Sequence, residues 1–193
     1  MERASAVVSA SIVLVAGVAT LSLVETGHLA RQMALHIAIM NVAAPLAAAW
    51  SPSRSSWTSR RWFLIVAALA QMAFLWAWHL PALQHAGSVP IHLLMMGALA
   101  VSALGFWVAI LAMASKRRWA AVAALLLTGK FACLLGALLI FAPNTIYRLP
   151  LDDQQLAGLF MVTACPLSYA VAGIVLAAQA LADLERGRRC ATG

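Results

Sequence analysis

Five histidines and eight methionines are the residues of this 193-residue chain best suited to chemistry, and they are not evenly spread. His28, Gln32, His36 and Met40 follow a four-residue step, which on a helix sets them in one nearly axial line, with Met33 on the same broad face. His92 is followed at the third and fourth positions by Met95 and Met96, one face and one turn on, and Met72 stands seven residues before His79. Imidazole nitrogen and thioether sulfur suit monovalent copper, whereas zinc prefers thiolate and calcium or magnesium prefer oxygen. A mixed His and Met set therefore predicts a Cu(I) site. Any one methionine is better explained by packing, because thioethers fill apolar cores readily. His36 and His79 are different: an imidazole inside an apolar surround is costly without a partner, so a functional role is expected of both. His28 and His85 are expected at the solvated membrane interface.

Two other polar positions stand out. Lys130 falls near the middle of an apolar stretch, where an ionisable residue is a functional candidate unless it snorkels or finds backbone carbonyls. Asp152 and Asp153 precede another apolar stretch, and at least one of them is expected to cap its helix, where a carboxylate meets unpaired amides and the positive dipole end. Nothing resembles a catalytic set: there is no serine with a base, no intramembrane carboxylate pair and no glycine-rich phosphate loop, so no enzyme activity is expected. Cys133, Cys165 and Cys190 have no CxxC spacing and signal neither a disulfide framework nor a zinc module.

The elements that must position these residues follow from composition. With 64% of residues hydrophobic and only 10% charged, too few polar side chains exist to coat a soluble globule. A helix needs roughly 20 apolar residues to cross the hydrocarbon core. Six spans meet that requirement: Ala6–Val24, Leu29–Trp50, Trp62–Leu80, Ile91–Ala114, Trp119–Phe141 and Leu156–Leu184. The expected fold is an all-α, polytopic transmembrane bundle forming a single domain. The first segment could alternatively be a signal peptide, with a basic start and a loose cleavage-like Gly17-Val18-Ala19; its apolar run is long for that, and it is read as a span. Pro45 and Pro166 fall inside spans and should kink them, and the tryptophans are expected mostly as interfacial anchors.

Orientation follows from the basic residues, which are retained on the cytoplasmic side. Ten of them (Arg3, Arg54, Arg60, Arg61, Lys116, Arg117, Arg118, Arg186, Arg188 and Arg189) lie on one set of connectors, against Arg31 and Arg148 on the other. Both termini are thus expected in the cytoplasm and all five histidines on the opposite side. The net charge of +7 is then topological, and no nucleic-acid partner is implied.

Several segments also carry a family likeness. Leu139-Ile140-Phe141-Ala142-Pro143, then Tyr147, then Asp153-Gln154-Gln155-Leu156-Ala157-Gly158 with Met161, resemble the multi-span CtaG-type cytochrome c oxidase assembly factors. Trp78-His79-Leu80-Pro81-Ala82-Leu83, Gln32-Met33-Ala34-Leu35-His36 leading to Ala44-Pro45-Leu46, and Phe106-Trp107 agree in order, so the likeness runs from about Arg31 to Ala182. The resemblance implies a protein that helps mature a haem-copper oxidase, with copper handling as its usual proposed role. The family's recurring histidines would fall at positions 32, 36, 79, 92 and 96, of which this chain keeps His36, His79 and His92 and has Gln32 and Met96 at the other two.

The resulting expectation is a non-enzymatic assembly factor of the bacterial inner membrane. It would bind Cu(I) through His36, His79 and His92, helped by Met96 and Met33, and pass it to an oxidase subunit or exchange it with a copper chaperone. Two other readings remain open at this point: a haem-binding protein with His36 and His79 as axial ligands, and a metal-free accessory subunit.

Overall fold

The computed structural model describes residues 27–50, 57–85, 89–115 and 117–192. The expected first span, 6–24, and its signal-peptide alternative lie outside the described residues. Among these, every regular element is helical: α1 (His28–Ala38), a π-helical turn (Ile39–Ala43), α2 (Ala44–Trp50), α3 (Arg61–Trp78), α4 (Pro81–His85), α5 (Val89–Met113), α6 (Arg118–Phe141), α7 (Leu151–Thr163) and α8 (Cys165–Thr192). Five stretches are long and apolar enough to cross a bilayer: His28–Trp50, Arg61–Trp78, Val89–Met113, Arg118–Phe141 and Leu151–Arg189. They match the expected second to sixth spans, the last beginning five residues earlier than Leu156.

Helix α6 packs along α7 and α8, and α3 packs along α5. The first described span bridges these two groups, because α1 leans on α7 and α2 on α5. Small residues set the closest approach. A Cβ on Gly136 would lie 2.8 Å from the carbonyl oxygen of Gly158, and one on Gly158 would lie 2.7 Å from that of Gly136. Only glycine at both positions lets α6 and α7 cross at this distance, where dispersion between backbones replaces the hydrophobic drive that lipid does not supply.

Both intramembrane prolines act through the carbonyls they leave unbonded. Ahead of Pro45 the chain adopts the π register, with the Ala44 amide donating to the Ile39 carbonyl five residues back. In that register the Met40 carbonyl faces Pro45, which has no N–H, and the Trp107 indole donates to it instead at 2.9 Å. Pro166 likewise cannot donate to the Val162 carbonyl, which accepts the Cys133 thiol at 3.9 Å, and the helix is interrupted at Ala164 between α7 and α8. Trp107 is therefore no interfacial anchor: it is buried, and its ring stacks on Tyr169 at 5.5 Å. Trp50, Trp57, Trp62 and Trp119 are exposed at helix ends, where anchors are expected.

At the basic end, Arg118 donates to the Ala114 and Gln179 carbonyls and pairs with Asp183, which also pairs with Arg186. One arginine thereby ties the turn between α5 and α6 to the last helix.

Candidate functional site

The site lies at the other end of the bundle, where α1, α5 and α7 begin and α3 and α6 finish. Helix α1 buries its line of Gln32, Met33 and His36 because Ala30, Ala34 and Ile37 on the same side are small or apolar enough to pack inward. His79 caps the end of α3, and His92 sits in the first turn of α5.

Their contacts form one connected group. His79 Nδ1 lies 2.7 Å from the Leu75 carbonyl, an atom that can only accept, so Nδ1 carries the proton of the neutral ring. Its Nε2 lone pair is then turned on Met33 Sδ at 3.1 Å. Histidines that ligate metals are held in this way, with the second nitrogen anchored on a carbonyl. His36 lies beside this pair, 6.2 Å from His79 between ring centres, and is only 2% exposed. Neither of its nitrogens has a hydrogen-bond partner among the described residues. A buried polar group left in that state costs about 1–3 kcal/mol. Trp78 stands edge-on between His36 and His92, with ring centres 4.8 Å and 4.7 Å away. Gln32 closes the group by approaching His92 Nε2 at 2.7 Å, while its own Oε1 has no partner.

The structure thus brings together Gln32, Met33, His36, His79 and His92. Met95 and Met96, about one turn beyond His92, are half-buried and pack against the core cluster that includes Met33 and Trp78. Met40, the next residue on that line, lies in the π turn, and its side chain packs in the same core as Met33. His28 is exposed, as expected at an interface, and the side chain of His85 lies outside the described ones. Trp78, expected only as an anchor, is 3% exposed and belongs to the site. Its one sequence signal is adjacency to His79, since a span apolar on all sides does not reveal which tryptophan faces inward.

Around the donors runs a frame built from the Asp153-Gln154 segment and the loop before it. Asp153 accepts from the Leu29 and Ala30 amides, both at 3.0 Å. It was expected to cap its own helix; instead, with no side-chain cap on α7, it caps α1, 124 residues away in sequence, while Asp152 is exposed. The reason is steric as well as electrostatic: a Cβ at Gly27 would overlap the Asp153 carboxylate, so glycine there lets the acid reach the α1 amides. Gln154, fully buried, accepts from the Ile146 amide at 2.7 Å and donates to the Leu139 carbonyl at 3.2 Å. Tyr147 donates to the His79 carbonyl at 2.9 Å, and burial pushes its phenol up to about 12, so it remains a donor. The loop between α6 and α7 is therefore fastened directly to the backbone of a site histidine.

Deeper in the bundle a second polar group occurs. Asn41 in the π turn accepts from Ser168 at 2.6 Å, and Gln71 donates to Tyr169. Lys130 is not part of either group: it lies on the exposed side of α6 and has no ion pair among the described residues.

Fold and site together define a polytopic membrane protein with an imidazole and thioether donor group held at one end of a helix bundle. Among the described residues no three of His, Cys, Asp and Glu are grouped so as to hold a metal ion. Residues 4–183 match the family of cytochrome c oxidase caa3 assembly factors, and the chain belongs to that family. No curated protein and no solved structure matches it. Membership implies interaction with the oxidase complex, and the helices are those of a membrane protein.

Proposed function

We propose that this chain holds Cu(I) on the outer side of the bacterial inner membrane and releases it to a subunit of a cytochrome c oxidase during assembly, without catalysing a reaction. The observation that carries this reading is the buried His36 ring, whose two nitrogens lack partners among the described residues, beside a His79 nitrogen turned on the Met33 sulfur. Neutral imidazole and thioether are soft enough for Cu(I), and the set fits that cargo better than it fits a divalent ion seeking oxygen.

Met33, His36 and His79 are the residues that would hold the ion. His92, tethered by Gln32, stands nearer the end of the bundle and is placed for ligand exchange, with Met96 a turn beyond. Gln32, at a position where the family has histidine, contributes a hydrogen bond to His92 in place of a ligand. Leu75 fixes the tautomer of His79, and Tyr147 fixes its backbone. Ten basic residues on the opposite connectors support the outward placement of the site.

The test is copper retention by the detergent-purified protein under reducing conditions, read against a Cu(I) chelator and beside the absorption spectrum. The parent is expected to hold one copper per chain and the His36→Ala, His79→Ala double variant to lose it, with oxidase assembly impaired in cells carrying that variant. No retained copper in the parent, together with normal oxidase assembly in the double variant, would overturn the proposal. A Soret band abolished by His36→Ala would reassign the site to haem.

A further inference from the structure

Lys130 is the thirteenth of the 24 residues of α6. At about 1.5 Å per residue its Cα stands roughly 16–18 Å from either end of that helix. A lysine stem reaches about 6 Å, which leaves the ammonium inside a hydrocarbon core about 30 Å thick even when it snorkels. The side chain lies on the exposed side of the helix, among Leu126, Leu127, Phe131 and Leu134, which are 40–53% exposed. It therefore faces outward from the described helices at the depth where an uncompensated cation is least tolerated.

Among the described residues no acid lies at that depth to neutralise it. The six acidic residues are Glu2, Glu25, Asp152, Asp153, Asp183 and Glu185. Asp152 and Asp153 open α7 at the histidine end, and Asp183 and Glu185 lie in the last turns of α8 at the basic end. In the sequence, Glu2 and Glu25 flank the apolar run 6–24, which itself contains no acid. A second copy fails for the same reason, since symmetric pairing on this side of α6 would set lysine against lysine.

We propose that the exposed side of α6 centred on Lys130 docks a transmembrane helix of a different protein, one that carries an aspartate or glutamate at mid-membrane depth. The ion pair gives register along the bilayer normal, and the leucine and phenylalanine side chains around it supply the packing surface. Identifying that protein as an oxidase subunit rests on the assembly-factor reading above; the acidic helix does not.

The test is a photo-crosslinking residue at Leu134, one turn from Lys130, in native membranes of cells that express the oxidase, with adducts mapped by mass spectrometry. The expected result is an adduct to another protein within a transmembrane segment that contains Asp or Glu. It should fall at least fivefold in Lys130→Met, which suits lipid better than the parent, and stay within twofold in Lys130→Arg. Lys130→Gln serves as the second neutral variant if Lys130→Met does not reach the membrane, and thermal melting in detergent checks the fold of each. Adducts to lipid alone, to a second copy of this chain or to a segment without an acid would overturn the proposal, as would no adduct or one indifferent to Lys130→Met. A protein that holds no copper yet forms the lysine-dependent adduct sinks the copper reading and leaves this one standing.

Discussion

Two polar regions meet at the histidine end of the bundle and are built on opposite terms. In the frame, Asp153, Gln154 and Tyr147 are bonded: both carboxylate oxygens, both ends of the glutamine amide and the phenol meet backbone groups. In the donor group, neither the His36 ring nor the Gln32 carbonyl oxygen has a hydrogen-bond partner among the described residues, and the second His79 nitrogen faces a thioether. Away from water, a bonded polar group stabilises and an unbonded one costs, so the two regions have opposite effects on folding. The frame supplies the rigidity that the donor group spends. What this teaches is that the residues carrying the family likeness divide into those that hold the bundle end together and those that the bundle holds in readiness.

The sharpest way to break the contrast is at Asp153. Asp153→Ala leaves two buried amides without an acceptor and removes a charge at a helix N-terminus, which should cost about 3–5 kcal/mol. The measurement is denaturant or thermal unfolding in a fixed detergent, and a loss under about 1 kcal/mol would show that water or lipid replaces the carboxylate. Next is the α6–α7 crossing, where Gly158→Val must push backbone against backbone, at a cost of about 3 kcal/mol. Weaker copper retention should follow from the displaced Tyr147 loop.

A substitution inside the donor group should act in the opposite sense. His36→Leu replaces two unpartnered nitrogens with an apolar side chain of similar length and is expected to raise stability by about 1–2 kcal/mol while copper retention is lost. A destabilised His36→Leu would mean that the ring is satisfied in the membrane and that the contrast is false. Smaller still is Trp107→Phe, which deprives the Met40 carbonyl of its donor beside Pro45 for about 1 kcal/mol, read by the same unfolding assay. The mildest change, Gln32→His, supplies another imidazole beside His92 and should strengthen Cu(I) retention several-fold with little effect on unfolding; weaker retention would show that the Gln32 amide is needed to hold His92.

Much of this architecture can be read from residue order. Length and apolarity place five of the expected spans to within a few residues, because crossing a hydrocarbon layer demands about 20 apolar residues regardless of what they touch. The helical step from Gln32 to His36 is local and survives, and the resemblance points to His36, His79 and His92 together. The π turn that contains Met40 ahead of Pro45 is a change of register that no periodicity count contains.

What the sequence by itself determined is a membrane-spanning helical chain with its imidazoles and its basic residues at different positions along the spans. Only the tertiary structure decided that Asp153 caps α1 rather than its own helix, that Trp78 and Trp107 are interior, and that His36 is left without a hydrogen bond. The physical reason is that burial in lipid is a demand on composition, met residue by residue. Pairing is a demand on angle and distance between helices, and here it is set by where glycines let α6 and α7 touch and where prolines shift the register.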